Sequence, residues 1–90
     1  MVQCDNMLTC VTEYADFFAA AVAAELRAER ARKGITLDAL AAASDTAKSS
    51  VQRYLKGTRE IPITAFLALC QALEVSPVEI FDRASKSVEQ

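Results

Sequence analysis

Apolar residues recur along this chain at steps of three and four, the spacing of one helix face, and no segment shows the sustained every-second-residue alternation of a half-buried strand. Over residues 12–33 the positions Tyr14, Phe17, Phe18, Ala21, Val22 and Leu26 keep that rhythm within an alanine-rich run of helix formers, which predicts a long amphipathic first helix. Thr9 and Thr12 are its candidate caps, and residues 1–11 read as a flexible tail. Gly34 marks its end, preceded by Arg30, Arg32 and Lys33, whose charge suits the negative end of a helix dipole. Thr36 then caps a short second helix over residues 37–43 carrying Leu37, Leu40 and Ala41, and a third helix follows over 47–56 and stops at Gly57. After the polar Thr58-Arg59-Glu60 loop, Ile61-Pro62 opens a fourth helix striped by Phe66, Leu67, Leu69, Cys70 and Leu73. Ser76-Pro77-Val78-Glu79 has the form of a capping box with proline at the first helical position, ahead of Ile80 and Phe81. Residues 84–90 are small and polar and are expected to fray. The pattern is all-α, with five helices.

The stretch 36–57 reads as helix, short turn, helix, joined by the small and polar Ala43-Ser44-Asp45-Thr46. Its second helix keeps Val51, Tyr54 and Leu55 on one side. The other side holds Lys48, Ser49, Gln52, Arg53 and Lys56 without a single acid. A polar, basic helix face behind a short turn points to a DNA reader.

Ninety residues, 52% hydrophobic, with two glycines and two prolines, suit one domain over residues 12–83 with a modest core. No uninterrupted apolar run approaches the roughly 18 residues a membrane span needs, and the start lacks a basic cluster followed by an apolar segment, so the expected location is cytoplasmic with no membrane partner. A net charge of −2 argues by itself against a nucleic-acid partner, but the distribution reverses that inference. Lys48, Arg53, Lys56 and Arg59 stand in residues 46–59 with no acid among them, and Arg27, Arg30, Arg32 and Lys33 cluster against Glu29 alone. Local positive potential is what a phosphate backbone requires. The three cysteines, Cys4, Cys10 and Cys70, lack CxxC spacing and there is no histidine, so no metal site, Cys–His nucleophile or cofactor is expected. Cys70 within FLALCQAL reads as a small buried hydrophobe, and a Cys4–Cys10 disulfide has little support. Without a Gly-rich phosphate loop or a paired carboxylate motif, no catalytic constellation stands out and the chain is not expected to be an enzyme.

Residues 26–81 resemble, without gaps, the lambda-repressor-like, Cro/XRE-type helix-turn-helix family of bacterial and phage transcriptional regulators. The resemblance rests on Leu26 and Arg30, Gly34-Ile35-Thr36, Leu40-Ala41, Ser44, Val51, Arg53, Gly57, Ala72-Leu73, Val75-Ser76 and Glu79-Ile80-Phe81. It implies a five-helix DNA-binding domain with an N-terminally extended first helix. In it the third helix enters the major groove of a double-stranded operator, and two copies bind two half-sites as a homodimer. Carried over residue by residue, it places Ala47, Lys48, Ser49, Gln52 and Arg53 against base edges, and Thr36, Arg27, Ser50, Lys56, Thr58 and Arg59 against phosphates. The chain departs from the family pattern at Leu37, where a glutamine commonly follows the capping threonine, and at Leu55, where a glutamate often pairs with the first-helix arginine. Asp45 stands for the usual turn glycine, and Ala47 for the usual cap, which passes capping to Thr46 or Asp45.

The first helix begins about three turns before the family minimum. Tyr14, Phe17, Phe18 and Val22 either pack on the last helix near Ile80 and Phe81 or form a dimer surface. The function expected is that of a repressor of phage-immunity or plasmid type. The alternatives are an antitoxin whose extra helix clasps a toxin, and a protein adaptor that keeps the fold without reading DNA, as Leu37, Leu55 and the acidic total suggest.

Overall fold

The computed structural model describes the backbone of residues 7–89 and the side chains of residues 13–88. Five helices follow in order: α1 (Met7–Lys33), α2 (Leu37–Ser44), α3 (Lys48–Lys56), α4 (Ile63–Leu73) and α5 (Pro77–Glu89). Among the described residues there is no strand, and no single helix is long and apolar enough to cross a membrane.

The ends of α1, α2, α3 and α4 share one device. Gly34, Asp45, Gly57 and Glu74 take left-handed backbone, with φ of 64°, 53°, 80° and 57°. In each, the left-handed N–H bonds the carbonyl three residues back, and the next N–H bonds the carbonyl five back, as in Gly34→Ala31 and Ile35→Arg30. Asp45 does what the family's glycine does because a short polar side chain tolerates this conformation better than most. Thr36 caps α2 through a 3.1 Å bond from the Ala39 N–H. Neither Thr46 nor Asp45 caps α3: Ala47 is the capping residue and makes no side-chain bond, Asp45 closes α2, and the Thr46 hydroxyl donates to the Ser44 carbonyl at 3.1 Å. Ser44 belongs to α2 rather than to the turn, buried with its hydroxyl donating to the Leu40 carbonyl at 2.7 Å.

Leu26 of α1, Leu40 of α2, Val51 of α3, Leu69 and Leu73 of α4 and Ile80 of α5 meet in one fully buried core. Phe66 stacks on Phe81 at 4.9 Å. Cys70 is buried there, its thiol pushed up to about 11 by desolvation, which leaves it an inert hydrophobe. Leu37 packs half-buried against the same core, and Leu55 lies inside it with almost no side-chain surface left for a partner. Leu67, read from the sequence as part of the buried stripe, is 47% exposed.

Besides Ser44 at the end of α2 and Ala47 ahead of α3, three boundaries differ from expectation. Residues 7–11, read as tail, extend α1, because nothing in them breaks a helix; residues 1–6 of that tail, Cys4 among them, lie outside the described residues, as does the side chain of Cys10. Pro62 caps α4 instead of entering its first turn. The C-terminal segment is helical through Glu89 because Ala84 packs fully buried, and Gln90 lies outside the described residues.

Candidate nucleic-acid interface

Burial of Val51, Tyr54 and Leu55 fixes the rotation of α3, and the helical period then sends Lys48, Ser49, Gln52, Arg53 and Lys56 outward. All five are exposed, as are Ala47, Thr36, Arg27, Thr58 and Arg59; Ser50 alone of the proposed site residues is half-buried, at the edge of the buried face. The side chains grouped on the outer face carry guanidinium, ammonium, amide and hydroxyl donors, chemistry suited to guanine O6 and N7, adenine N6 and N7, and phosphate oxygens. Among the described residues, Arg53, Lys56 and Arg59 form no ion pair, so their charge stays available.

The rim around α3 is organised by bonds the sequence does not announce. The Arg27 guanidinium donates to the Leu55 carbonyl, closing an open acceptor at the end of α3 and pinning that helix to α1. Arg30, lacking the acidic partner common in the family, donates to the Ile35 carbonyl at 2.8 Å, and its Nε is buried without a partner. Arg27, Arg30, Leu37, Gln52, Leu55 and Lys56 line a cleft of about 160 Å³ with three cations and no acid. Thr58 donates to the Arg53 carbonyl at 3.3 Å, and Arg59 lies over the Tyr54 ring at 5.8 Å, which holds its guanidinium beside the loop after α3.

The basic run 27–33 is not one face. Arg27 and Arg30 turn toward α3, whereas Arg32 and Lys33 turn toward buried Glu29, and Lys33 also donates to the Leu73 carbonyl and, at 3.0 Å, to that of Glu74. These two cations therefore hold the fold together. Sequence reasoning missed this because it took Glu29 only as an offset to the local charge, although basic residues three and four positions later are the signal of an intrahelical pair.

A second surface lies away from α3's outer face. Tyr14, Phe18, Tyr54, Arg59, Ile63 and Phe81 contribute to a groove of about 820 Å³ between α1, the loop before α4, and α5. Of the four residues offered as a dimer surface, Val22 is buried in the core and cannot meet a partner, and Phe18 packs on Phe81 at 5.8 Å. Tyr14 and Phe17 remain 51% and 54% exposed. Packing on the last helix therefore holds for Phe18, while Tyr14 and Phe17 stay open to solvent.

A family profile described as a helix-turn-helix domain matches residues 21–80. No curated protein matches the sequence. Among solved structures, the clp gene regulator ClgR from C. glutamicum is similar with a TM-score of 0.73 and 31% identity, over 78% of this chain and 91% of that one. A second structure of ClgR from Corynebacterium glutamicum gives 0.75 and 30%, over 80% of this chain and 77% of that one. The restriction-modification controller protein C.Esp1396I, solved as a tetramer in complex with its natural 35 base-pair operator, gives 0.75 over 82% of this chain and 97% of that one; at 24% identity the likeness is one of fold.

Proposed function

The chain belongs to the lambda-repressor-like, Cro/XRE-type helix-turn-helix family and has the fold of its DNA-binding transcriptional regulators, and from that premise we propose that it binds a double-stranded operator sequence-specifically and represses transcription by occluding a promoter. The observation that carries this is the outer face of α3, exposed and acid-free, with Lys48, Ser49, Gln52 and Arg53 positioned by the buried Val51, Tyr54 and Leu55. Ala47, Lys48, Ser49, Gln52 and Arg53 read base edges, while Thr36, Arg27, Ser50, Lys56, Thr58 and Arg59 meet phosphates and set the register. ClgR, 31% identical, is a gene regulator, which supports a regulator's role for this chain.

Two copies pair to span two half-sites. The exposure of Tyr14 and Phe17, on the turns of α1 that precede the core-facing Val22 and Leu26, supports a second copy as their cover.

The test is a titration of a random-sequence duplex at two salt concentrations. Binding that weakens as salt rises, with a slope made shallower by about one for each of Lys56→Met and Arg59→Met, supports the interface. Salt-independent binding, or none at low salt, contradicts it.

A further inference from the structure

Asp38 stands in the first turn of α2, and its Oδ1 lies 3.0 Å from Nζ of Lys48, the first residue of α3. Both side chains are well exposed, 78% and 52%, so this ion pair links two solvent-facing tips, one from each helix of the motif, and adds little to folding. Its place is what gives it consequence. The first turn of α3 contains no acid and its capping residue offers no side-chain bond, so Lys48 puts a cation at the positive end of a helix dipole. Asp38 supplies the missing negative charge from the neighbouring helix.

The pair also singles out one cation of the interface. Arg53, Lys56 and Arg59 have no carboxylate partner among the described residues, whereas Lys48 has one. An ammonium is a compact charge with three donors and no preferred plane, so on its own it takes a phosphate oxygen as readily as a guanine edge. A carboxylate at 3.0 Å changes that choice: it occupies one donor, repels the phosphodiester backbone, and leaves the other donors for the uncharged acceptors O6 and N7.

We propose that Asp38 is a positioning residue that sets sequence discrimination, holding Lys48 toward base edges and denying it to phosphates. The inference rests on the DNA-binding reading above. It assigns Asp38 no base contact of its own, and it makes Lys48 contribute to selectivity rather than to general adhesion.

The test compares wild type, Asp38→Asn, Lys48→Met and the double variant, each as the full chain. The probes are the duplex that wild type enriches most strongly from a random library, and a random-sequence duplex. Asp38→Asn is expected to tighten binding to the random duplex by up to about tenfold and to steepen its salt slope by about one, since Lys48 then neutralises one more phosphate. Affinity for the enriched duplex changes less, so the ratio of the two falls several-fold. In the Lys48→Met background the same substitution leaves that ratio unchanged. Equal tightening on both probes, or an equal fall of the ratio when Lys48 is absent, overturns the proposal and leaves Asp38 as plain charge repulsion. A wild-type protein with no salt-sensitive binding to either probe overturns the DNA reading instead, and the two failures differ in the first column of data. The melting temperature, expected to fall by no more than a few degrees in Asp38→Asn, separates this effect from loss of the fold.

Discussion

Arg83 of α5 donates to the Glu29 carboxylate of α1 at 2.9 Å, and the same oxygen accepts from Arg32 at 2.7 Å. Lys33 lies 3.5 Å from the other oxygen, and the second arm of Arg83 bonds Glu79 at 2.5 Å. Glu29 is 6% exposed, so one buried carboxylate gathers three cations and locks the last helix onto the first. Hydrogen bonds from Arg32 and then Arg83 hold its carboxyl down at about 2, from an ordinary 4.5, against the opposing effect of burial.

A carboxylate with a depressed pKa adds stability that is complete above the unfolded value and disappears as pH falls through the folded one. Glu29 therefore stabilises the domain above pH 4.5 and ceases to do so as pH falls toward about 2. Glu29→Gln should cost roughly 1–2 kcal/mol at neutral pH, allowing for solvent around the partners, and flatten that part of the acid-unfolding curve. Melts at neutral pH and at pH near 3 decide it; equal losses at both would show that packing, not charge, is what Glu29 contributes.

The left-handed helix ends at Asp45 and Glu74 carry side chains where glycine is easiest. Asp45→Gly and Glu74→Gly should each leave stability unchanged or raise it by up to about 1 kcal/mol, whereas Asp45→Val should lower it by about 1–2 kcal/mol. Chemical denaturation of the three variants tests the order.

Ala47 caps α3 without a side-chain acceptor. Ala47→Ser should add roughly 0.5–1 kcal/mol by bonding a free N–H of the first turn. Ala47→Asp should stabilise similarly and yet weaken DNA binding, because it sets an acid on the acid-free face. A thermal melt beside a DNA titration separates the two effects.

Phe17 is more than half exposed, so Phe17→Asp should leave the melting temperature within a few degrees and convert a dimer to a monomer. Light scattering reads the mass. An unchanged mass with an intact fold removes Phe17 from the pairing surface.

The helix ends were legible in the sequence because they rest on local chemistry: Gly34, Thr36, Gly57 and Pro77 stand where caps or first turns need them. The rotation of α3 was legible for the same reason, since Val51, Tyr54 and Leu55 fix it by period alone. Contacts between distant residues were not. Arg27 reaching the Leu55 carbonyl, Lys33 reaching the end of α4, and Asp38 meeting Lys48 all depend on how helices are packed, which spacing along one helix does not encode. The aromatic stripe of α1 was misassigned in part because Val22 and Phe17 belong to one apolar series and to opposite fates, core and solvent.

Selection from a random duplex library at two salt concentrations, with wild type beside Arg53→Ala, decides whether the outer face of α3 reads sequence. One enriched motif is expected, arranged as an inverted repeat with half-sites about one helical turn apart, whose enrichment weakens with salt and relaxes at one position in each half-site without Arg53. Enrichment of no motif at low salt, or the same motif undiminished in Arg53→Ala, would contradict it.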